Sequence, residues 1–261
     1  MKGIRMGEKN KNEQKKERPK RILQFKIVLG GIEPAIWRSI QVSNEMNMRT
    51  FAVSLLLAMG WQNSHLHEFI IAGIHYGLTG DDYDYIDESL VPEDETLYRL
   101  KDFSEDQLRK FKFLYDFGDG WKHDVSLEVV ILKPDAVAKF PRVVDGARNC
   151  PPEDCGGISG YYDLAEKLKT PDAEDYEGLI TWLGGKYDTD FFDLNVINTT
   201  LKKTVAYEKY GFEHDESAGD ILFEDEYINC GIGLAKPRKT KKNKTPARKK
   251  NSVAKSKTII H

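Results

Sequence analysis

The stretch "FKFLYDFGDGWKHDVSLEVVIL", Phe111 to Leu132, decides the fold. Phe111, Phe113, Tyr115 and Phe117 recur at every second position, the period of a strand with one buried face. Trp121, His123, Val125, Leu127, Val129 and Ile131 repeat that pattern. Gly118-Asp119-Gly120 separates the two runs, so the stretch predicts a β-hairpin. The Asp-Phe-Gly inside it also occurs in kinases. There the aspartate needs a glycine-rich loop, a strand lysine and an HRD loop beside it, and this chain has none of them. The hairpin reading therefore takes the motif.

Upstream, "RILQFKIVL" (Arg21 to Leu29) and "AIWRSIQV" (Ala35 to Val42) alternate as strands around a turn at Gly30-Gly31. Ser43 or Asn47 is placed to cap a helix from Met48 to Met59, and Gly60 stands where a helix-ending glycine belongs. "HLHEFIIAGIHYG" reads as a strand with a turn at Gly73. Leu78 to Thr96 is acidic and rich in turn residues, hence a loop. Ser104 caps a short helix at "SEDQLRKF".

Downstream, "CPPEDCGG" (Cys150 to Gly157) is a stiff irregular segment with two prolines and two glycines. Three helical stretches follow: "GYYDLAEKLKT", "PDAEDYEGLITWLGG" and "DTDFFDLNVINTTLKKTV". The fold class expected is α+β. It combines a mixed or antiparallel sheet, a β-grasp-like N-terminal half (hairpin, helix, strand), the central hairpin and C-terminal helices.

Charge is distributed very unevenly. The chain of 261 residues has a net charge of −3. Residues 1–21 carry nine Lys/Arg and three Glu, and residues 236–261 carry eleven Lys/Arg and no acid. Removing those twenty basic and three acidic residues leaves 19 Lys/Arg against 39 Asp/Glu in 22–235, a net of −20. A body of that sign repels phosphate, so it is not itself a nucleic-acid platform. The division expected is a disordered basic arm (1–21), a single α+β domain (22–207), an acidic extension (208–235) and a disordered basic tail (236–261). Lys236, Arg238, Lys239, Lys241, Lys242, Lys244, Arg248, Lys249 and Lys250 make the tail suited to salt-dependent, sequence-independent attachment to nucleic acid. With no aromatics among them, base stacking is not on offer. A solvated end, or one folded onto the acidic body, accounts for the same run. The longest apolar run is too short for a membrane span, and the N-terminus has no secretory pattern. Three scattered cysteines make no disulfide framework. A cytoplasmic protein with no membrane partner is expected.

Five segments, "IEPAIWRSIQV", "MGWQNSHLHEFII", "FLYDFGDGWKHDVSLE", "CPPEDCGGISGYYDL" and "ITWLGGKYDTDFFDLNVIN", resemble the plasmid pRiA4b ORF-3-like family over about residues 22–201. That family also takes in passenger proteins of some insertion elements. The resemblance implies an α+β domain that travels with mobile elements, and it supplies no reaction. Some members carry a resolvase label, but this chain has no serine- or tyrosine-recombinase motif.

Candidate chemistry gathers around the hairpin. His65 and His67 lie two apart on an expected strand, so both are expected on one face. Asp116, Asp119, His123 and Asp124 lie on the hairpin and are the candidate catalytic residues. If the strands are neighbours, imidazoles and carboxylates from both are available to a divalent metal. Otherwise His65, His67 and His123 are buried polar residues bonded across a sheet, among Trp37, Trp61 and Trp121. Cys150 and Cys155 offer one half of a zinc site. Glu153 and Asp154 either cap a neighbouring helix or face the hairpin and join its acids. Trp37, Trp61, Trp121, Glu153 and Asp154 are the candidate pocket or partner residues. No cofactor is implied beyond a divalent cation.

The function expected is a non-enzymatic accessory or interaction module with a protein partner. The alternative is a metal-dependent hydrolase or nuclease.

Overall fold

The structure is a computed structural model, and it describes residues 21–79, 91–132 and 139–210. Strand β1 (Ile22–Leu29) pairs antiparallel with β2 (Trp37–Ser43), with Phe25 opposite Ile40 and Ile27 opposite Arg38. The apolar residues of this hairpin turn to one face, where Phe25, Ile27 and Ile40 are fully buried. Helix α1 (Met48–Met59) lies on that face. Of the two caps expected from the sequence, Asn47 is used: its side-chain oxygen accepts the N–H groups of Arg49 and Thr50 at 2.8 and 3.3 Å. Gly60, at φ 127°, ends the helix through an N–H bond to Leu56 O. Every residue from Thr50 to Met59 is buried, because the sheet lies on one side of α1 and a later helix on the other. The Phe51 ring sits 5.1 Å from Phe25 and 5.7 Å from Phe69, which locks the helix to two strands.

Strands β3 (His67–Ile71) and β4 (Ile74–Gly77) form a second hairpin around Ala72-Gly73, both at positive φ, the turn that matches strand twist. The expected loop from Leu78 to Thr96 contains a short strand, β5 (Glu93–Asp94), parallel to β4, and leads into a 3₁₀ turn at Glu95–Leu97. Residues 80–90 lie outside the described residues. Helix α2 (Glu105–Leu108) is capped by Ser104, with Gln107 completing a capping box.

Strands β6 (Lys110–Tyr115) and β7 (Trp121–Ile131) are the arms of the central hairpin, with Tyr115 opposite Trp121. Phe111, Phe113 and Tyr115 are buried as expected, but Phe117 is 55% exposed. The strand stops at Tyr115 and Asp116 turns to φ 53°, so the alternation does not reach Phe117. A second departure lies in β7. Leu127 faces Phe25 and Val129 faces Gln24, so Glu128 is the extra residue of a β-bulge. The bulge advances the phase by one residue and leaves Val129 exposed.

Strand β8 (Arg142–Ala147) pairs with β2. Helices α3 (Gly157–Lys167), α4 (Tyr176–Trp182) and α5 (Leu194–Tyr210) follow, as the C-terminal helical patterns indicate. The sheet order is β5-β4-β3-β6-β7-β1-β2-β8, antiparallel throughout except for the β4–β5 pair. The protein is thus an α+β fold with a mixed sheet, and its N-terminal half runs hairpin, helix, strand. No helix among the described residues is long and apolar enough to cross a membrane. The basic arm, the basic tail and the acidic stretch beyond Tyr210 lie outside the described residues.

Helix α5 packs against α1 and closes the β8 edge. Asn198 accepts the Val143 N–H at 2.8 Å and donates to Val143 O at 2.9 Å. An open strand edge is a template for association, and here one amide occupies both backbone groups. Asn198→Leu is expected to cost about 1–2 kcal/mol. Urea denaturation measures the loss, and an unchanged midpoint would remove the edge-closing role.

Candidate functional site

Three motifs far apart in sequence meet at the turn end of the central hairpin. Asp116 opens the turn. Its N–H donates to Leu66 O at 2.9 Å, which ties the hairpin to the segment before β3. Its Oδ1 accepts from the N–H groups of Gly118 and Asp119 at 3.0 and 3.2 Å, an aspartate turn that fixes the carboxylate. Its Oδ2 is left directed at His65, 3.7 Å from Nε2. From the "PPED" loop, Asp154 brings Oδ1 to 3.2 Å from the same nitrogen. One ligand-capable atom from each of His65, Asp116 and Asp154 lies within 4.8 Å of the others. His65 Nε2 is shielded from solvent and makes no hydrogen bond, to either carboxylate or to any other group. Asp116 and Asp154 both adopt positive φ, 53° and 55°. Aspartate tolerates this conformation at a modest cost, and such residues concentrate at binding sites.

The loop and the hairpin are held together by two further contacts. Asp119 Oδ2 accepts the Gly156 N–H at 3.1 Å. At Gly157 an added Cβ would stand 2.6 Å from Asp119 O, so the backbones close only over a glycine. Beneath them Trp61 donates its indole N–H to Pro151 O at 3.0 Å and packs 5.6 Å from Trp121 and 5.1 Å from Tyr115. Glu153 faces inward. Its Oε1 accepts the Gln62 N–H and the Tyr115 hydroxyl, both at 2.8 Å, and Oε2 is buried without a partner. Burial pushes the Glu153 carboxyl above its ordinary range.

The remaining sequence candidates are placed elsewhere. His67 does not share a site with His65. The strand begins at His67, so the expected alternation never reaches His65. His67 Nε2 instead lies 3.1 Å from both Glu95 oxygens, and Arg49 approaches Glu95 at 3.3 Å. Glu95 is fully buried. His123 is in the core, its Nδ1–H donating to Phe113 O at 3.1 Å and its ring edge-on to Trp61 at 5.2 Å. Asp124 turns to the other sheet face, where Lys112 holds it at 2.7 Å. Trp37 is on that face too, beneath Lys26, away from Trp61 and Trp121. Cys150 is buried, and burial with the Asp119 charge pushes the Cys155 thiol up to about 12. Neither cysteine joins a metal-type group among the described residues. Lys236 to Lys250 lie outside the described residues.

Sequence reasoning did not find Glu95, which sits at the end of an acidic loop, or the part played by Tyr115. For Tyr115 a signal existed. A buried tyrosine usually directs its hydroxyl to a partner, and the alternation places Tyr115 on the buried face beside the turn.

The family model for the plasmid pRiA4b ORF-3-like protein matches residues 21–196. Uncharacterized protein y4hQ of Sinorhizobium fredii is 30% identical over 187 residues, which is 71% of this chain and 93% of that protein. A crystal structure of a protein of unknown function from Methanosarcina mazei Go1 is similar with a TM-score of 0.59 and 30% identity. That match covers 68% of this chain and 98% of the other.

Proposed function

The chain belongs to the plasmid pRiA4b ORF-3-like family, and from that premise we propose that its body is a divalent-cation-binding module whose site is His65, Asp116 and Asp154. The observation that carries the reading is the His65 Nε2 atom. It is shielded, without a hydrogen bond, and faces two carboxylate oxygens supplied by separate motifs. One imidazole and two carboxylates suit manganese, iron or zinc better than a thiolate-seeking metal. Three protein ligands leave a position for water or an oxyanion, the arrangement of catalytic rather than structural metal sites. A cation held there supplies Lewis-acid chemistry, which is what a hydrolase would draw on.

Protein purified without chelator is expected to carry about one such ion per chain by elemental analysis. His65→Ala and Asp154→Ala are each expected to weaken manganese binding by at least about tenfold. Saturating cation raises the melting temperature of the parent more than that of the variants. A metal-free protein whose melting is indifferent to manganese, iron, zinc and magnesium overturns the reading.

A second reading has its own observation, the charge asymmetry of the sequence. The basic tail, from Lys236 to Lys250, attaches the acidic body to nucleic acid as part of an accessory role. Binding of duplex DNA by the full chain is expected to fall steeply with salt, and residues 22–235 are expected to bind far more weakly. Equal binding by the two removes the tail from the account.

A further inference from the structure

We propose that the Tyr115 hydroxyl is the positioning group of the cation site, acting through a three-member hydrogen-bonded chain. The inference rests on the cation reading above and deepens it. The phenol oxygen accepts the Ser64 N–H at 3.0 Å and donates to Glu153 Oε1 at 2.8 Å. Ser64, Tyr115 and Glu153 are the residues immediately before His65, Asp116 and Asp154. Each ligand is therefore one peptide unit from a member of the chain. Fixing the chain fixes the places where all three ligands leave their backbones.

No ligand of this set is held by a long regular element at its own position. His65 precedes β3, Asp116 follows β6, and Asp154 sits in an irregular loop. Positive φ at Asp116 and Asp154 needs surroundings that keep it populated. Tyr115 is well suited to provide this. Its ring is fully buried against Trp61, and its backbone is paired with both His67 and Trp121. The hydroxyl is thus delivered from a strand residue paired on both sides. Glu153 extends the hold to Gln62 through a second hydrogen bond at the same oxygen. Groups that orient metal ligands from behind commonly change affinity by about 10–100-fold when removed.

The experiment uses the full chain and titrates Mn²⁺, followed by the loss of the free-ion paramagnetic resonance signal. Tyr115→Phe deletes only the hydroxyl and keeps the ring in its packing. Its Mn²⁺ affinity is expected to fall about 10–100-fold. Glu153→Ala removes the other end of the chain and is expected to lose a similar factor. The double variant is expected to lose little more than either single one, because both act along one path. Phe69→Leu, in the core and outside the site, serves as a control that lowers melting temperature without changing affinity. Should Tyr115→Phe not fold, Glu153→Ala against the same control decides the matter. Parent-like affinity in the folded Tyr115 or Glu153 variant overturns the positioning role and leaves the cation reading standing. Independent, multiplying losses in the double variant also overturn it. A parent protein that takes up no Mn²⁺ overturns both.

Discussion

Arg38→Met is expected to cost about 3–5 kcal/mol of folding free energy, read as a lowered urea midpoint with an unchanged slope. Arg38 is 2% exposed on the core face of β2. Its guanidinium donates to the carbonyls of Trp37 and Ala147 at 2.8 Å, of Arg148 at 2.8 Å, of Ala58 at 2.9 Å and of Met59 at 3.4 Å. Two of these carbonyls end α1, where the helix dipole favours a positive charge. The others belong to β2 and to the end of β8. One planar fork therefore joins the central helix to the sheet edge. Methionine fills the volume but leaves five carbonyls short of a donor, those of Ala58 and Met59 in fully buried bonds and the other three partly buried, each with its own desolvation cost. Arg38→Lys is expected to recover only part of the loss, since an ammonium has three donors where the guanidinium has five. An unfolding free energy within about 1 kcal/mol of the parent for Arg38→Met would mean that water replaces the guanidinium at little cost.

The period-two pattern of β2 already put Arg38 on the face of Ile36 and Ile40. What the pattern does not carry is why an arginine is tolerated there. Its partners are carbonyls freed by the end of α1 and by β8, and only the folded arrangement brings these together. The same division holds elsewhere. Asn47 and Gly60 bound α1 through local hydrogen bonds and a positive φ, so the helix ends are legible. The bulge at Glu128 is not. Val129, Val130 and Ile131 are all apolar, so the sequence satisfies the pairing before and after a one-residue shift equally well. The three C-terminal helices follow from period and capping, but α3 starts at Gly157, ahead of its apolar pattern, because the glycine approach to Asp119 sets the entry.

The candidate site divides along similar lines. The sequence marks the hairpin, "HLH" and "PPED" as places dense in ligand-type residues. It does not choose among them, because the choice depends on where regular structure stops. Since β3 begins at His67, His65 lies in a connecting segment, and a connecting segment can turn toward the hairpin's turn end. His67, one strand pair further in, meets Glu95 from an element 28 residues away. Asp116 and Asp124 stand on the same hairpin. Asp116 belongs to the turn, and Asp124 falls on the alternate face with the lysines of β6. Of the six ligand-type residues around two motifs, His65 and Asp116 thus come together, and Asp154 from a third motif makes the group three.

Between pH 6.5 and 4 the protein is expected to lose about 3 kcal/mol of stability that a His123→Leu variant does not lose. The His123 side chain is buried between Phe113 and Trp61, and burial pushes its imidazolium pKa down to about 4. Its Nδ1–H is taken by Phe113 O, and Nε2 has no partner in the core. A second proton would place a charge beside Trp61, favoured by the bond to Phe113 O and, more weakly, by the Asp124 charge, which together do not offset the cost of burial. The sign follows from the two reference states. In the unfolded chain the imidazole takes up its proton near its ordinary value of 6.5, whereas the folded chain refuses it until about 4. As pH falls through that window the unfolded state binds more protons, and stability drops. Above 6.5 both states are neutral at this residue and the contribution is fully present. Below 4 the loss is complete. Carboxylates titrate over part of the same range in both proteins, so the informative quantity is the difference between parent and variant. Leucine forgoes the bond to Phe113 O, so the variant starts less stable at pH 7, and its stability curve is expected to run flatter between 6.5 and 4. Parallel curves for the two proteins in urea denaturation at matched pH would place the acid sensitivity in other groups.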